Sequence, residues 1–407
     1  MNSNSDSHRL AIDGGQPVRS APFRAWPHYD QDEIDAVAAV LASGKVNYWT
    51  GQEGRRFEAE YAAHCGVRHG VALMNGTVAL ELALRALGVG PGDEVVTTSR
   101  TFIASASCAV ACGARPVTAD VDPVSQNLTA ESIAAALTPR TKAIVAVHLA
   151  GWPCDMDAIL GLARERGLKV VEDCAQAHGA TWKGRPVGGF GDMAAFSFCQ
   201  DKIITTGGEG GMLVTDDAAL WEKAWAYKDH GKSWDAVYNR PHPPGFRWLH
   251  ESFGSNWRMT EPQAAIGRLQ LAKLPAWLAT RRRNAEALER GLDGVPGLRL
   301  TPVPGHVGHA RYRYYAFLEP SRLKAGWDQQ RVIEAIAAEG VPCFSGSCGE
   351  IYRERAFVDA GWGQPRLPVA RLLSDTSLCF LTHPTLDEAD MADVAAAVAK
   401  VMRQAAL

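Results

Sequence analysis

Lys202 stands in FSFCQDKIITTGGEGGM (196–212), between an apolar run and a loop with four glycines in five positions. Glycines let a backbone approach a bound group closely, and a partly enclosed lysine can have its pKa lowered enough to act as a nucleophilic amine. Upstream, Asn75-Gly76-Thr77 closes a strand-like run and opens a helix-like one. Free amides there, the helix dipole and the Thr77 hydroxyl could hold a phosphate; the same tripeptide also reads as an ordinary N-cap. Glu172-Asp173 ends the run LKVVED, with Gln176 three residues after Asp173. An aspartate at a strand end either caps or catalyses. A reactive lysine, a phosphate cup and a strand-end carboxylate together point to pyridoxal phosphate.

Elements of a definite kind must hold these residues. From about 71 to 215, strand-length apolar runs alternate with helix-like stretches: VALM, DEVVTT, RPVTADV, KAIVAVHL and LKVVED are each followed or separated by amphipathic segments. Short β-branched runs in that alternation predict βαβ units and a largely parallel sheet, with the chemistry at the carboxyl ends of the strands. AAFSF (194–198) and GMLVTDD (211–217) predict two more strands bracketing the glycine loop. Beyond about 265 a long helical pattern runs from Glu261 to Leu292, through the basic cluster Arg281–Arg283, which reads as solvent-facing. Strand-like RYRYYAFLE (311–319), a helix near 328–339 and a terminal helix near 387–403 then suggest a smaller α+β lobe. The expected division is 1–270, a large α/β domain with an N-terminal arm, and 271–407, a small C-terminal α+β domain.

The whole-chain quantities set bounds. Of 407 residues, 46% are hydrophobic and 21% charged, with a net charge of −3. Such a chain can fill a core, and it supplies no general field for a nucleic acid. It has no run of about 18 uncharged apolar residues for a membrane span and no secretory pattern at its start, so the expectation is a cytoplasmic protein without membrane or nucleic-acid partners. Nine scattered cysteines without a C-x-x-C argue against disulfides or zinc and read as buried thiols. No G-x-G-x-x-G follows the first strand, which disfavours a dinucleotide site.

Several motifs in order carry a more specific likeness: FRAWPHYD, Trp49-Thr50-Gly51, NGTVALELAL, TFIAS, VEDCAQAHGA, FSFCQDKIITTGGEGGM and NWRMTEPQAAIGRLQL. The chain resembles the DegT/DnrJ/EryC1/StrS aminotransferases, fold-type-I pyridoxal-phosphate enzymes of sugar and aminocyclitol biosynthesis. The resemblance implies that Lys202 binds the cofactor as a Schiff base and shuttles the proton between substrate carbon and cofactor. It implies Asp173 at the pyridine nitrogen, Gln176 at the 3′-oxygen and Phe102 flat on the ring. Gly76, Thr77 and Ser197 would hold the phosphate. Asn256 would reach it from a neighbouring subunit, which implies a homodimer with shared sites. Because Lys202 is present, where some relatives carry histidine, transamination is expected. The donor would be glutamate or glutamine and the acceptor a keto-sugar, nucleotide-linked.

Two departures bear on the substrate. The loop reads TTGGEGG, one glycine longer than the commoner TTGEGG, and the stretch CFSGSCGEIYRERAF (343–357) replaces a proline- and histidine-containing segment of many sugar-nucleotide members. Arg258, His383 and one face of RYRYYAF are expected near it. Period two would put Arg311, Arg313 and Tyr315 on one side, where arginines facing a cleft could bind a diphosphate or simply be solvated. His148 and His178, near strand ends, read as hydrogen-bonded structural histidines. The alternatives are an aminocyclitol (keto-inositol) aminotransferase or a 3-amino-5-hydroxybenzoate synthase-like enzyme, and, outside enzymes, a cofactor-binding sensor or regulator. Too few residues precede 21 for the helix-turn-helix such regulators carry.

Overall fold

The computed structural model describes residues 9–407. Seven strands form the main sheet: β1 (His69–Leu73), β2 (Glu94–Thr98), β3 (Arg115–Ala119), β4 (Thr141–Val147), β5 (Lys169–Asp173), β6 (Met193–Ser197) and β7 (Gly211–Thr215). Their spatial order is β1-β7-β6-β5-β4-β2-β3. β7 runs antiparallel to both neighbours, while the pairs from β6 to β3 are parallel. The central strands are buried on both sides because helices cover both faces. Val71, Leu73, Val145, Val171, Ala195 and Leu213 pack into one layer, and their alternates Ala72, Ile144, Ala146, Val170, Phe196 and Val214 into the layers opposite.

The expected long helix spans Glu261–Leu292 and opens with a reciprocal cap between Thr260 and Gln263. It leads into a second, three-stranded antiparallel sheet of Leu298–Arg299, Arg313–Leu318 and Ser377–Leu381. The helices Gln329–Ala338 and Glu388–Ala405 cover that sheet and share its core, through Val332, Ile336, Val398 and Met402 among others.

Three expectations change. The N-terminal arm, grouped from the sequence with the large domain, packs on the small lobe instead. Leu10 is buried in the small-lobe core with Val18 and Phe23 against it. Glu339, fully buried, accepts the backbone N–H groups of Ala11 (2.8 Å) and Val18 (3.0 Å) and pairs with Lys400 (2.8 Å). An uncompensated carboxylate there would be costly, so the arm's amides are part of that core. Second, the basic cluster is split: Arg282 and Arg283 are exposed but Arg281 is 1% exposed. Third, Arg311 leaves the expected alternation. Its backbone sits in the left-handed region (φ 52°), the strand starts at Arg313, and Arg311 pairs with Glu289. Among the described residues no helix is long and apolar enough to cross a membrane. All nine cysteines are free; seven are buried, Cys199 is half-buried and Cys348 exposed.

Candidate active site

The carboxyl ends of β1, β2, β5 and β6 converge on one rim. After β1, the Asn75 side chain accepts the Val78 N–H at 3.0 Å and starts the helix Gly76–Ala86. The cap reading of this tripeptide therefore holds, and it leaves the first amides of the helix at the rim. A Cβ on Gly76 would lie 2.5 Å from the Ser197 Cβ, so only glycine lets the helix start meet the end of β6. Asp173, the last residue of β5, is 4% exposed and accepts hydrogen bonds from Ser105 Oγ (2.7 Å) and Ala175 N (3.1 Å). No cation lies within ion-pair distance of it among the described residues, and burial raises its pKa above the ordinary value. A buried carboxylate held by two donors and short of a positive partner suits a protonated ring nitrogen.

Gln176 accepts the Ala150 N–H at 2.8 Å and donates to Ser347 Oγ at 3.4 Å. The stretch 343–357 also returns to the rim through Thr101 N to Cys348 O (3.1 Å) and Ile351 N to Ser99 O (2.9 Å). It thus borders Phe102, a large aromatic residue that is 66% exposed. His148 and His178 behave as read. His148 bonds Glu172 (3.1 Å) and Cys154 N (3.0 Å); His178 bonds Tyr61 Oη (2.6 Å) and Ser197 O (3.0 Å).

Lys202 lies in the β6–β7 loop with its side chain 17% exposed, and its Nζ is 3.5 Å from Asp201 Oδ1. The expected lowered pKa is not found. Burial pulls it down, but Tyr312 and Asp201 outweigh burial and the net direction is upward. At neutral pH Tyr312 is uncharged, and the carboxylates of Asp201 and Asp173 both act in that direction. The loop's extra glycine has a conformational use: Gly207 and Gly208 take φ of 82° and 116°.

Arg313 and His383 line one cavity of about 570 Å³ with Trp26 and Asp201. Arg258 does not join them: it pairs with buried Asp229 at 2.6 Å, and its backbone bridges Leu73 on the edge strand β1. Asn256 is exposed and bridges Asp229 beside it. Three residues around the Lys202 loop had no role assigned from the sequence. Tyr312 Oη donates to Asp201 Oδ2 (2.5 Å), Trp26 Nε1 donates to the Lys202 carbonyl (2.8 Å), and Arg281 lies beneath the Trp26 ring, 5.4 Å from its centre. Asp201 itself was visible beside the lysine, but its partner Tyr312 is 111 residues away.

The DegT/DnrJ/EryC1/StrS aminotransferase family pattern matches residues 27–399. The chain belongs to that family. An aminotransferase from Psychrobacter cryohalolentis has the same fold at a TM-score of 0.92 and 52% identity, covering 94% of this chain and 99% of its own. L-glutamine:2-deoxy-scyllo-inosose aminotransferase of Streptoalloteichus tenebrarius is 38% identical over 97% of both chains. GDP-perosamine synthase of Caulobacter vibrioides is 39% identical over 93% of this chain and 97% of its own. Membership of the DegT/DnrJ/EryC1/StrS family makes the chain an enzyme of the transferase class. It also agrees with the rim of lysine, buried aspartate and helix start.

Proposed function

We propose that this chain is a pyridoxal-phosphate-dependent aminotransferase that moves an amino group from L-glutamine or L-glutamate to the ketone of a nucleotide-linked sugar. The observation that carries the reading is that enclosed Lys202 and buried Asp173, which has no ion-pair partner among the described residues, share one rim. Pyridoxal phosphate bound there supplies an aldehyde carbon for the amino group and an electron-withdrawing ring. Gly76, Thr77 and Ser197 would hold its phosphate, Gln176 its ring oxygen and Phe102 its face. Asp173 would keep a proton on the ring nitrogen, and Lys202 Nζ would hold the cofactor and move a proton to and from the substrate carbon. The stretch 343–357, Arg313 and His383 border the substrate side.

Conversion of a nucleotide-linked keto-sugar by purified protein with L-glutamine tests the substrate class. A second reading, a keto-inositol acceptor, is favoured by the 38% identity to an inosose aminotransferase over almost the whole chain; transfer to keto-inositols and to no sugar would replace the first reading. Lys202→Ala is expected to lose both the visible absorbance and turnover, and retention of both would remove the lysine from the mechanism.

The same reading makes the enzyme a homodimer in which Asn256 serves the partner's site. Exposed Asn256, in the same stretch of sequence as Trp248 at 85% and Phe253 at 99% exposure, supports this, since such apolar side chains want cover. Mixed Lys202→Ala and Asn256→Ala subunits should regain activity through hybrids; confirmed subunit exchange without recovery counts against sharing. Nine unpaired cysteines fit a reducing, cytoplasmic setting.

A further inference from the structure

The TFIAS segment points two ways at once. Phe102 is exposed at the rim, while Thr101 and Ser105, four residues apart around the start of the helix Ala104–Ala111, are both buried. Ser105 Oγ is 2.7 Å from Asp173 Oδ2 and 2.8 Å from Thr101 Oγ1. Each hydroxyl has one hydrogen to give, and an ionised carboxylate only accepts. The Ser105 hydrogen therefore goes to Asp173, and Ser105 accepts from Thr101. That order is fixed for as long as Asp173 carries its charge, and a hydroxyl polarised by the one behind it is the stronger donor. The Thr101 N–H donates to the Cys348 carbonyl at 3.1 Å, which anchors the far end of the row on the stretch 343–357. No other side chain donates to Asp173 among the described residues; its second donor is the Ala175 backbone N–H. Lys202 and His148 act on it through space only, in the same direction as these bonds. Cys108, Cys154 and Cys174 are thiols whose pKa burial raises, so they bring no charge. Glu172 lies on the other face of β5, where His148 and the Gly188, Phe190 and Gly191 amides hold it. Burial raises the pKa of Asp173, and Ser105 is the largest single influence opposing it.

We propose that Ser105 is a positioning residue for the reaction: backed by Thr101 and acting through Asp173, it keeps the proton shared between that carboxylate and the cofactor's ring nitrogen on the ring. The proposal rests on the pyridoxal-phosphate reading above. One proton has two resting places. On nitrogen it leaves a pyridinium facing a carboxylate; on oxygen it leaves a neutral ring facing a carboxylic acid. Desolvation favours the second arrangement, because that pair carries no charge. A hydroxyl donating to the carboxylate lowers its basicity and favours the first. The first is the useful one, since the protonated ring is the stronger electron sink for the reacting carbon. Thr101 and Ser105 thus offset the burial that Asp173 needs in order to meet the ring out of water. An aspartate in the same place without them would draw the proton to itself.

Two magnetic-resonance measurements test this, one of them without the cofactor. In protein freed of pyridoxal phosphate, carboxyl-labelled aspartate reports the titration of Asp173, identified by the signal lost in Asp173→Asn. Ser105→Ala should move that titration up by about one pH unit or more, the scale of a charge-assisted hydrogen bond. Thr101→Val should move it the same way by less. With pyridoxal phosphate labelled at its ring nitrogen and bound, the wild type should show that nitrogen protonated at neutral pH. Ser105→Ala should shift the resonance toward the neutral ring, and Ser105→Thr, which restores a hydroxyl, should return it. Thermal midpoints check that each variant is folded; Thr101→Val leaves Ser105 and Asp173 in place and carries both measurements if Ser105→Ala does not fold. An Asp173 titration unmoved by Ser105→Ala, or moved downward by Thr101→Val, overturns the row of donors. A neutral ring in the wild type, or a nitrogen resonance unchanged in Ser105→Ala, overturns the placing of the proton. A hydroxyl that only filled space would leave both readings where they are. Failure of the protein to bind pyridoxal phosphate would count separately, against the functional reading, because the Asp173 titration needs no cofactor.

Discussion

Two buried groups, Asp173 and His178, show how single side chains prepare this site. Asp173 has two hydrogen-bond donors and, among the described residues, no cation within ion-pair distance, so its carboxylate is held in place with room for a positive partner. His178 is the opposite case, an uncharged ring fixed between Tyr61 and the Ser197 carbonyl. Burial lowers its pKa from 6.5 to about 3. The unfolded chain therefore takes up this proton first as pH falls. The stability from neutral His178 is complete above about pH 6.5 and is lost progressively toward pH 3, at up to about 1.4 kcal/mol per pH unit. Thermal unfolding of His178→Asn should show a lower midpoint at neutral pH and a shallower decline between pH 6 and 4 than the wild type. Parallel declines would assign the acid sensitivity to other groups.

Strand ends and the glycine loop explain which parts were legible in the sequence. Lys202, Asp173, Gln176 and Gly76 each sit where an apolar run stops, and a run's end is a local signal. Arg281 is not local. It is one of three adjacent arginines, but successive helical residues turn by about 100°, so one of the three meets the core while the other two stay outside. Composition alone reads them as one exposed cluster. The partner of Arg258 was hidden for a related reason: Asp229 lies 29 residues away across a loop. Arg311 was misplaced because one left-handed residue resets a strand's alternation. The β6–β7 loop gives the prediction at this scale. Gly208 has open space where a Cβ would stand but a φ of 116°, so Gly208→Ala is pure backbone strain. It should cost about 1–3 kcal/mol in denaturant unfolding and weaken cofactor retention next to Lys202. An unchanged midpoint would mean the loop relaxes without cost.

The molecule as a whole places Lys202 between two sheets, and the N-terminal arm ties them. Trp26 reaches the Lys202 carbonyl from the arm, while Leu10, Val18 and Phe23 belong with the small-lobe core. Removing residues 1–27 should cost about 3 kcal/mol or more from lost apolar burial alone, read as a lower thermal midpoint, with Glu339 left short of two donors. A full midpoint in the shortened chain would make the arm dispensable. At the other end, Lys400 donates to the Gln16 carbonyl at 2.7 Å, and Val401, Met402 and Ala405 enter the core that holds Leu10. Both of these segments fall outside 27–399, the stretch by which the family is identified. The family pattern and the fold therefore have different borders in this chain: a gene trimmed to that pattern would lack the clasp that closes the smaller lobe.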